Sequence, residues 1–214
     1  MASGEMAFGS AERVASSPSV ERALVDQCRR GDGEAFSRLV ALHEGMVFSL
    51  AARLLGDAEE ARDLSQEVFL QVYRHLHRFE GRSSLKTWIY RIVVNQARNR
   101  QRWWRRRRKE RACPLEALTA AEEARVSAQA SADEESPFER LSREERARRV
   151  QSALLDLPFP HRTVLVLREV EGLSCDAIAA SLGLPEGTVK SRLSRAREAL
   201  RIRLLPDLQG RTRP

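Results

Sequence analysis

The chain has 214 residues, of which 42% are hydrophobic, enough for the cores of one or two domains. Its formal net charge of +7 and pI of about 10.1 indicate a polyanionic partner. No apolar run approaches the roughly 20 residues of a membrane span, and the low Gly and Pro content argues against a β protein and favours an all-α fold.

The N-terminal residues 1–21 are rich in Ala, Ser and Gly, so we expect a disordered tail there. They lack the positive start and apolar stretch of a signal peptide. Cys28, Cys113 and Cys175 lie far apart and form no CxxC pair. We therefore expect reduced thiols and a cytoplasmic protein.

Two amphipathic helices are predicted next. Apolar residues at helical spacing from Phe36 to Leu54 predict a long helix with one buried face, and Gly56 ends it. Asp57 is expected to cap the following helix, with Glu60 completing a capping-box-like pair. The side of this second helix that should face away from the core is polar: Asp63, Gln66, Glu67 and Gln71.

A third helix follows the short loop EGRSS, and Ser83 or Ser84 is expected to cap it. Its core stripe has helical spacing: Leu85, Trp88, Ile89, Ile92 and Val93. The opposite side combines cations with an aromatic ring and an amide: Thr87, Tyr90, Arg91, Asn95, Arg98 and Arg102. Such a face suits phosphate contacts and stacking on exposed bases, so we expect Tyr90 to be exposed.

Charge changes sign sharply along the chain. Residues 82–111 contain 12 basic residues and 1 acidic residue, whereas residues 112–139 contain 1 basic and 7 acidic. The acidic stretch has few large apolar residues, so it is predicted to be a flexible linker with a typical span of about 28 Å. We therefore predict two small helical domains, 22–111 and 140–205, followed by a C-terminal tail at 206–214.

The segment from Ser174 to Leu200 predicts a helix-turn-helix. Ser174 is a suitable N-cap for CDAIAASL, Gly183 suits a tight turn, and Pro185 suits the start of the next helix. In that helix the core side should be Val189, Leu193, Ala196 and Leu200. The side chains that face outward together are basic or short and polar: Lys190, Ser191, Ser194 and Arg195. Such a face suits the major groove of DNA.

Three segments in order resemble the signature segments of bacterial RNA polymerase sigma factors: DAEEARDLSQEVFLQVYRHL, FEGRSSLKTWIYRIVVNQARN and LREVEGLSCDAIAASLGLPEGTVKSRLSRAREAL. The resemblance covers roughly residues 22–111 and 141–204, and it is greatest to the two-domain extracytoplasmic-function (ECF) group of the sigma-70 family. It implies a protein that binds core RNA polymerase, directs initiation at specific promoters and stabilises melted DNA. It also implies regulation by an anti-sigma factor, which is membrane-bound for many family members.

The resemblance assigns roles to the predicted surfaces. The outer face of the Asp57–Leu76 helix would dock on the polymerase through Asp63, Gln66, Glu67 and Gln71. The next loop and helix would bind the −10 element through Phe79, Arg82, Ser83, Ser84, Thr87, Tyr90, Arg91, Asn95 and Arg98. The helix-turn-helix would bind the −35 element through Thr188, Lys190, Ser191, Ser194 and Arg195. The run WWRRRRK, from Trp103 to Lys109, is more basic than the family pattern requires, and it would extend the DNA contact or bind the polymerase or an acidic inhibitor.

The sequence contains no GxSxG, HExxH, P-loop or Cys/His ligand cluster. We therefore expect no enzymatic activity, no cofactor, no metal ion and no small-molecule substrate. Two alternatives stay open at this point. One is a conventional helix-turn-helix regulator that binds duplex DNA without joining core polymerase, and the other is an RNA-binding protein that uses the tryptophan–arginine run.

Overall fold

The computed structural model describes residues 18–110 and 137–209, with side chains placed for residues 21–107 and 144–205. These residues form eight α-helices: α1 Pro18–Arg29, α2 Gly33–Leu55, α3 Ala58–His75, α4 Leu85–Glu110, α5 Pro137–Leu155, α6 Phe159–Glu169, α7 Cys175–Leu182 and α8 Glu186–Gln209. A 3-10 turn, Leu76–Arg78, follows α3. The described ranges contain no strand, which confirms the predicted all-α fold.

Several predicted boundaries shift. Residues 18–21 are helical, so the predicted disordered tail is wrong for these four positions. The helix α1 is stabilised by the burial of Leu24 and Val25 against the first core, which the Ala- and Ser-rich composition did not reveal. Helix α5 begins inside the predicted linker and α8 continues past the predicted end at 205. The rest of the predicted tails and linker, together with Cys113, lies outside the described residues.

Local capping sets the first helices as expected, with one exception. Gly56 ends α2 with a φ of 82°, which favours glycine, and Asp57 Oδ1 accepts a hydrogen bond from the Glu60 amide at 3.0 Å. The second half of the predicted capping box is not formed. The Glu60 carboxylate instead accepts a hydrogen bond from Arg100 of α4, because a cation offers a stronger partner than a backbone amide.

Two groups of helices build the core. In the first, α2, α3 and α4 pack together and fully bury Leu39, Leu50, Leu64, Val68 and Ile89. In the second, α6, α7 and α8 bury Val164, Leu167, Ile178 and Val189. Full burial of one such side chain contributes about 1.5–3 kcal/mol before conformational entropy is subtracted, so each group has a substantial apolar core.

The two groups also pack on each other. Helices α5 and α6 contact α2, and α7 contacts α4. At the end of α2, Gln151 Nε2 donates a hydrogen bond to the Ala52 carbonyl at 3.1 Å. Leu155 covers Gly56 so closely that a Cβ at that position would overlap the leucine side chain. This packing decides which predicted site residues reach solvent.

Candidate nucleic-acid interface

The outer face of α8 is as the spacing predicted. Val189, Leu193 and Ala196 are buried in the second core, and the fourth predicted core residue, Leu200, is half-buried against it. The predicted outward set, Lys190, Ser191, Ser194 and Arg195, is exposed, while Thr188 is half-buried near the start of the helix. The predicted geometry of this helix is therefore confirmed, and the contacts of these residues with DNA stay a prediction.

Capping and one arginine hold α7 and α8 as a helix-turn-helix. Ser174 Oγ accepts a hydrogen bond from the Ala177 amide at 3.3 Å, and Gly183 ends α7 with a φ of 63°. The Thr188 amide donates to the Pro185 carbonyl at 2.9 Å and so closes the first turn of α8. Arg168 Nη1 donates to the Leu173 carbonyl at 2.9 Å, which fixes the loop before α7.

The cations of α8 differ in how they are held. Lys190 Nζ lies 2.8 Å from Glu186 Oε1, and this hydrogen bond raises the pKa of Lys190. Arg197 is tied to Glu169 of α6 at 2.6 Å. Arg195 forms no ion pair within the described part of the chain, so its guanidinium is available for two parallel hydrogen bonds to a guanine.

The loop before α4 is pinned at both ends. Ser84 caps the helix, since its Oγ accepts from the Thr87 amide at 3.1 Å and lies 2.8 Å from Thr87 Oγ1. At the other end Phe79 is half-buried, with its ring centroid 5.5 Å from that of Trp88. Arg29 of α1 donates to the Phe79 carbonyl. Sequence reasoning missed Arg29 because the contact spans 50 positions and leaves no local pattern.

Between those ends the loop is open to solvent. Arg82, Ser83 and Ser84 are exposed, as are Arg91 and Asn95 further along α4. Thr87 and Arg98 are half-buried. The exposed hydroxyl, amide and guanidinium groups form a continuous polar surface from the loop onto α4, which is suited to a nucleic-acid backbone.

The predicted exposure of Tyr90 is wrong. Its side chain is 0% exposed, on a helix that α7 packs against. Its hydroxyl donates a hydrogen bond to the carboxylate of Glu171, in the loop after α6. Burial, and then the hydrogen bond and charge of Glu171, raise the pKa of Tyr90, so the phenol stays protonated and acts as donor. Lys86 Nζ lies 5.6 Å from the ring centroid.

The outer face of α3 carries the predicted polymerase-docking residues. Asp63, Gln66 and Glu67 are exposed, but Gln71 is half-buried. Two exposed apolar side chains that sequence reasoning missed, Leu70 and Tyr73, lie on this helix. Both lie outside the helical spacing of the buried residues. Apolar residues at such positions are the sequence signal that could have identified this surface. Exposed aromatic and aliphatic groups beside polar ones are typical of a protein-binding surface.

Glu67 also contributes to the fold. Arg100 Nη2 of α4 lies 2.6 Å from Glu67 Oε1, and Nη1 of the same arginine hydrogen-bonds Glu60. Because Arg100 is only 19% exposed, these contacts are less screened than those of a fully solvated pair. Arg100 was absent from the predicted sites, since its two partners lie 33 and 40 positions away.

The basic run ends α4. Trp103 is 44% exposed, with the Arg107 guanidinium carbon 4.1 Å from its ring centroid. Arg105 and Arg106 are exposed, and Trp104 is half-buried. The arginine stacked on a tryptophan face is held in place without losing its charge, which suits contact with phosphates.

The remaining expectations concern metals, membranes and thiols. Among the described residues, no group of His, Cys, Asp and Glu side chains is placed to hold a metal ion. No described helix is long and apolar enough to cross a membrane. Cys28 and Cys175 are free thiols, and burial raises the pKa of Cys28.

Comparison with known proteins identifies the family. Residues 39–110 match sigma-70 region 2, and residues 147–200 match sigma-70 region 4. RNA polymerase sigma-H factor of Pseudomonas aeruginosa is 39% identical over 88% of this chain and 96% of its own length. The ECF RNA polymerase sigma factor SigW of Bacillus subtilis is 34% identical over 84% of this chain and 94% of its own length.

Two solved structures share the fold. The sigma factor RpoE of Bartonella quintana, in complex with the anti-sigma factor NepR, superposes with a TM-score of 0.62 and 25% identity over 79% of this chain and 96% of that chain. CnrH, in complex with the cytosolic domain of CnrY, superposes with a TM-score of 0.61 and 29% identity over 87% of this chain and 98% of that chain. The family matches cover both groups of helices, in the order the sequence predicted, and this chain therefore belongs to the extracytoplasmic-function sigma factors of the sigma-70 family.

Proposed function

We propose that this chain binds core RNA polymerase through the outer face of α3 and directs it to promoters whose −35 and −10 elements it recognises. The first group of helices serves polymerase docking and the −10 element, and the second serves the −35 element. They correspond to the predicted domains at 22–111 and 140–205. The chain acts in the cytoplasm as a binding protein, and the proposal assigns a catalytic role to no residue.

The observation that carries the proposal is the exposed set on α8. Lys190, Ser191, Ser194 and Arg195 project from a helix whose opposite side is anchored in a core. A rigid helix with short polar side chains and a free guanidinium can enter the major groove and discriminate base pairs. Thr188, near the helix start, is assigned a phosphate contact in this proposal.

The −10 contact is assigned to the loop and first turns of α4. Phe79, Arg82, Ser83 and Ser84 supply the loop, and the set on the helix is Thr87, Arg91, Asn95 and Arg98. Tyr90 is left out of this surface because its side chain is buried and bonded to Glu171. Unstacking a base costs a few kcal/mol per step, which stacking and phosphate contacts to the separated strand offset. The basic run from Trp103 to Lys109 extends the phosphate contacts beyond this surface.

Regulation by an anti-sigma factor is part of the proposal. Two solved relatives support it, since RpoE of Bartonella quintana was determined with the anti-sigma factor NepR and CnrH with the cytosolic domain of CnrY. Both structures cover most of this chain. We expect an inhibitor that competes with core polymerase for α3, and a membrane-bound inhibitor would hold the chain at the membrane surface.

Run-off transcription with purified core polymerase and genomic fragments tests the proposal. We expect transcripts from defined start sites only when the chain is added, and weak binding of the free chain to the same promoters. Arg195→Ala should reduce the transcripts, whereas Arg197→Ala, which alters a cation held by Glu169, should not. Tight, sequence-specific binding of the free chain to duplex DNA without start-site transcription would instead identify a conventional helix-turn-helix regulator.

A further inference from the structure

The loop assigned to the −10 element has few contacts of its own. Residues 80–84 are all exposed, and within the described part of the chain their backbone amides donate to no other backbone group. Arg82 pairs with Glu80 at 2.5 Å inside the loop, and Gly81 has a φ of 71°, which favours glycine. Because ordering such a loop costs conformational entropy, a single loop conformation requires that other elements hold its ends.

Helix α1 holds the first end of this loop. It contacts the 3-10 turn that precedes the loop. From the last residue of α1, the Arg29 guanidinium donates hydrogen bonds to the Phe79 carbonyl and, from Nε at 3.5 Å, to the Leu76 carbonyl. Asp26 Oδ1 lies 3.2 Å from Arg29 Nη1 and so orients the guanidinium. Three apolar residues of α1 anchor this helix in the first core: Leu24, Val25 and Cys28.

The first half of the same helix contacts the other end of the loop. The Glu21 carboxylate accepts a hydrogen bond from the backbone amide of Leu85, the first residue of α4. Burial raises the pKa of Glu21, and this hydrogen bond offsets part of the increase. The first amides of a helix have no partner within it, and a carboxylate is favourable at that end. Glu21 therefore supplements Ser84, which caps the Thr87 amide.

The contacts of Arg29 and Glu21 together are called the α1 clamp. Helix α1 precedes residues 39–110, the part of the chain that matches sigma-70 region 2, and the proposed function uses none of its residues. Both contacts are made to backbone groups that flank the loop, so the clamp acts on the loop whatever side chains the loop carries. A recognition loop held in one conformation pays less entropy on binding and discriminates more sharply between ligands.

We propose that Arg29 and Glu21 are positioning residues for −10 recognition, which hold both ends of residues 80–84 in the conformation that captures an unstacked base. The identity of the ligand rests on the proposed function, whereas the α1 clamp does not. Neither side chain needs to touch DNA. Removing either one leaves the chemical groups of the loop in place and loosens their arrangement. The loss therefore falls on discrimination between bases as well as on affinity.

Hydrogen exchange of the free chain tests the α1 clamp itself. In Arg29→Ala and Glu21→Ala, the bonded amides at the loop ends, those of Phe79, Leu85 and Thr87, should exchange at least about fivefold faster than in the wild type, as expected for the loss of one hydrogen bond. Glu21→Gln should stay near the wild type, because its amide oxygen can still accept from Leu85. Mass spectrometry of peptides covering residues 79–88 measures the rates.

A matched control is Arg30→Ala. Arg30 is the exposed neighbour of Arg29, and its side chain forms no hydrogen bond or ion pair within the described ranges. The substitution removes the same charge, yet it should leave the exchange rates unchanged. Circular dichroism and capture of core polymerase establish that each variant is folded and forms holoenzyme.

Base discrimination by the holoenzyme tests the positioning role. The probes are single-stranded oligonucleotides that carry the −10 element of a promoter mapped by run-off transcription, with each base varied in turn. At the captured position Arg29→Ala should lower affinity for the preferred base at least about fivefold and bring the ratio between preferred and altered bases toward one. Arg30→Ala should keep both values. A purely structural role would instead lower the affinity for all probes alike and leave that ratio unchanged.

Unchanged exchange in both Arg29→Ala and Glu21→Ala would overturn the α1 clamp. Faster exchange with an unchanged ratio between bases would overturn the positioning role and leave a contribution to stability alone. If the wild-type holoenzyme shows no preference among the −10 probes while exchange is faster in the variants, the proposed function fails and the α1 clamp stands.

Discussion

Helices α8 and α4 were both predicted from the same kind of pattern, a buried stripe opposite a basic and polar face. On α8 the pattern matches the structure: Leu193 is buried and Arg195 is exposed. On α4 the stripe again lies on the predicted side, with Leu85, Ile89 and Val93 buried and Trp88 and Ile92 half-buried, yet Tyr90 on the polar side is fully buried. The predicted outward residues of α8 are exposed to solvent, whereas Tyr90 on the polar face of α4 is buried and bonded to Glu171 of the second group.

The difference reflects what periodicity measures. A 3.6-residue repeat reports which side of a helix packs on its own domain, and in both helices it did so. The repeat carries no information about which residues pack against a second domain. A tyrosine is compatible with either outcome, because its ring can be buried while its hydroxyl satisfies a polar partner. Substitutions on or beside each helix test this difference between α8 and α4.

The largest expected effect is on the α8 core. Leu193→Ala should lower the free energy of unfolding by about 2–5 kcal/mol, through lost burial and a residual cavity. Its neighbour Ser194→Ala, on the exposed face, should change it by no more than about 0.5 kcal/mol. Urea denaturation followed by circular dichroism measures both. Similar losses for the two variants would show that the α8 face is covered as α4 is.

The next effect is on recognition by that face. Arg195→Ala should remove about 1–3 kcal/mol of discrimination at the upstream element, if the free guanidinium contacts a base. The loss should depend on the sequence of that element, and it is measured by holoenzyme binding to matched and altered promoters. A uniform loss across all sequences would instead make Arg195 a phosphate contact.

Local features of the fold were predictable, and long-range ones were not. The caps Asp57, Ser84 and Ser174 and the turn glycines Gly56 and Gly183 act within a few residues, so the sequence displays them. The helix-turn-helix face follows from spacing alone. Arg29, Arg100 and Glu171 act on residues 33 to 81 positions away, and no short pattern encodes such pairs.

A smaller effect on stability distinguishes the ion pair of Arg100 on α4 with Glu67 from that of Arg197 on α8 with Glu169. Glu67→Lys should weaken capture of core polymerase and also lower stability by about 1 kcal/mol, since it places a cation beside the largely buried Arg100. Glu169→Lys, opposite the 55% exposed Arg197 of α8, should have a smaller effect on stability and none on capture. Pull-down assays and thermal melts measure the two properties. Unchanged capture by Glu67→Lys would show that the docking assignment is wrong.

The smallest effect is a pH dependence to which one histidine beside each helix contributes. Burial, and then Lys86 of α4, lower the pKa of His43, while burial, and then Arg192 and Arg195 of α8, lower that of His161. The unfolded chain, with histidine pKa values of about 6.5, therefore takes up protons first as the pH falls. Stability contributed by the neutral histidines is complete above that pH and decreases below it. We expect a loss of less than about 1 kcal/mol between pH 7 and pH 5, because surface charges are screened.

Replacing each histidine with glutamine separates the two contributions. His43→Gln and His161→Gln should each flatten the decrease in unfolding free energy with falling pH, measured by urea denaturation across that range. Promoter phosphates should partly neutralise Arg192 and Arg195, which would raise the pKa of His161 but not that of His43. Only His161→Gln should then reduce proton uptake on promoter binding, measured by calorimetry of the holoenzyme in buffers of different ionisation enthalpy. Equal reduction by both variants would show that promoter phosphates also approach Lys86 of α4, the cation beside His43.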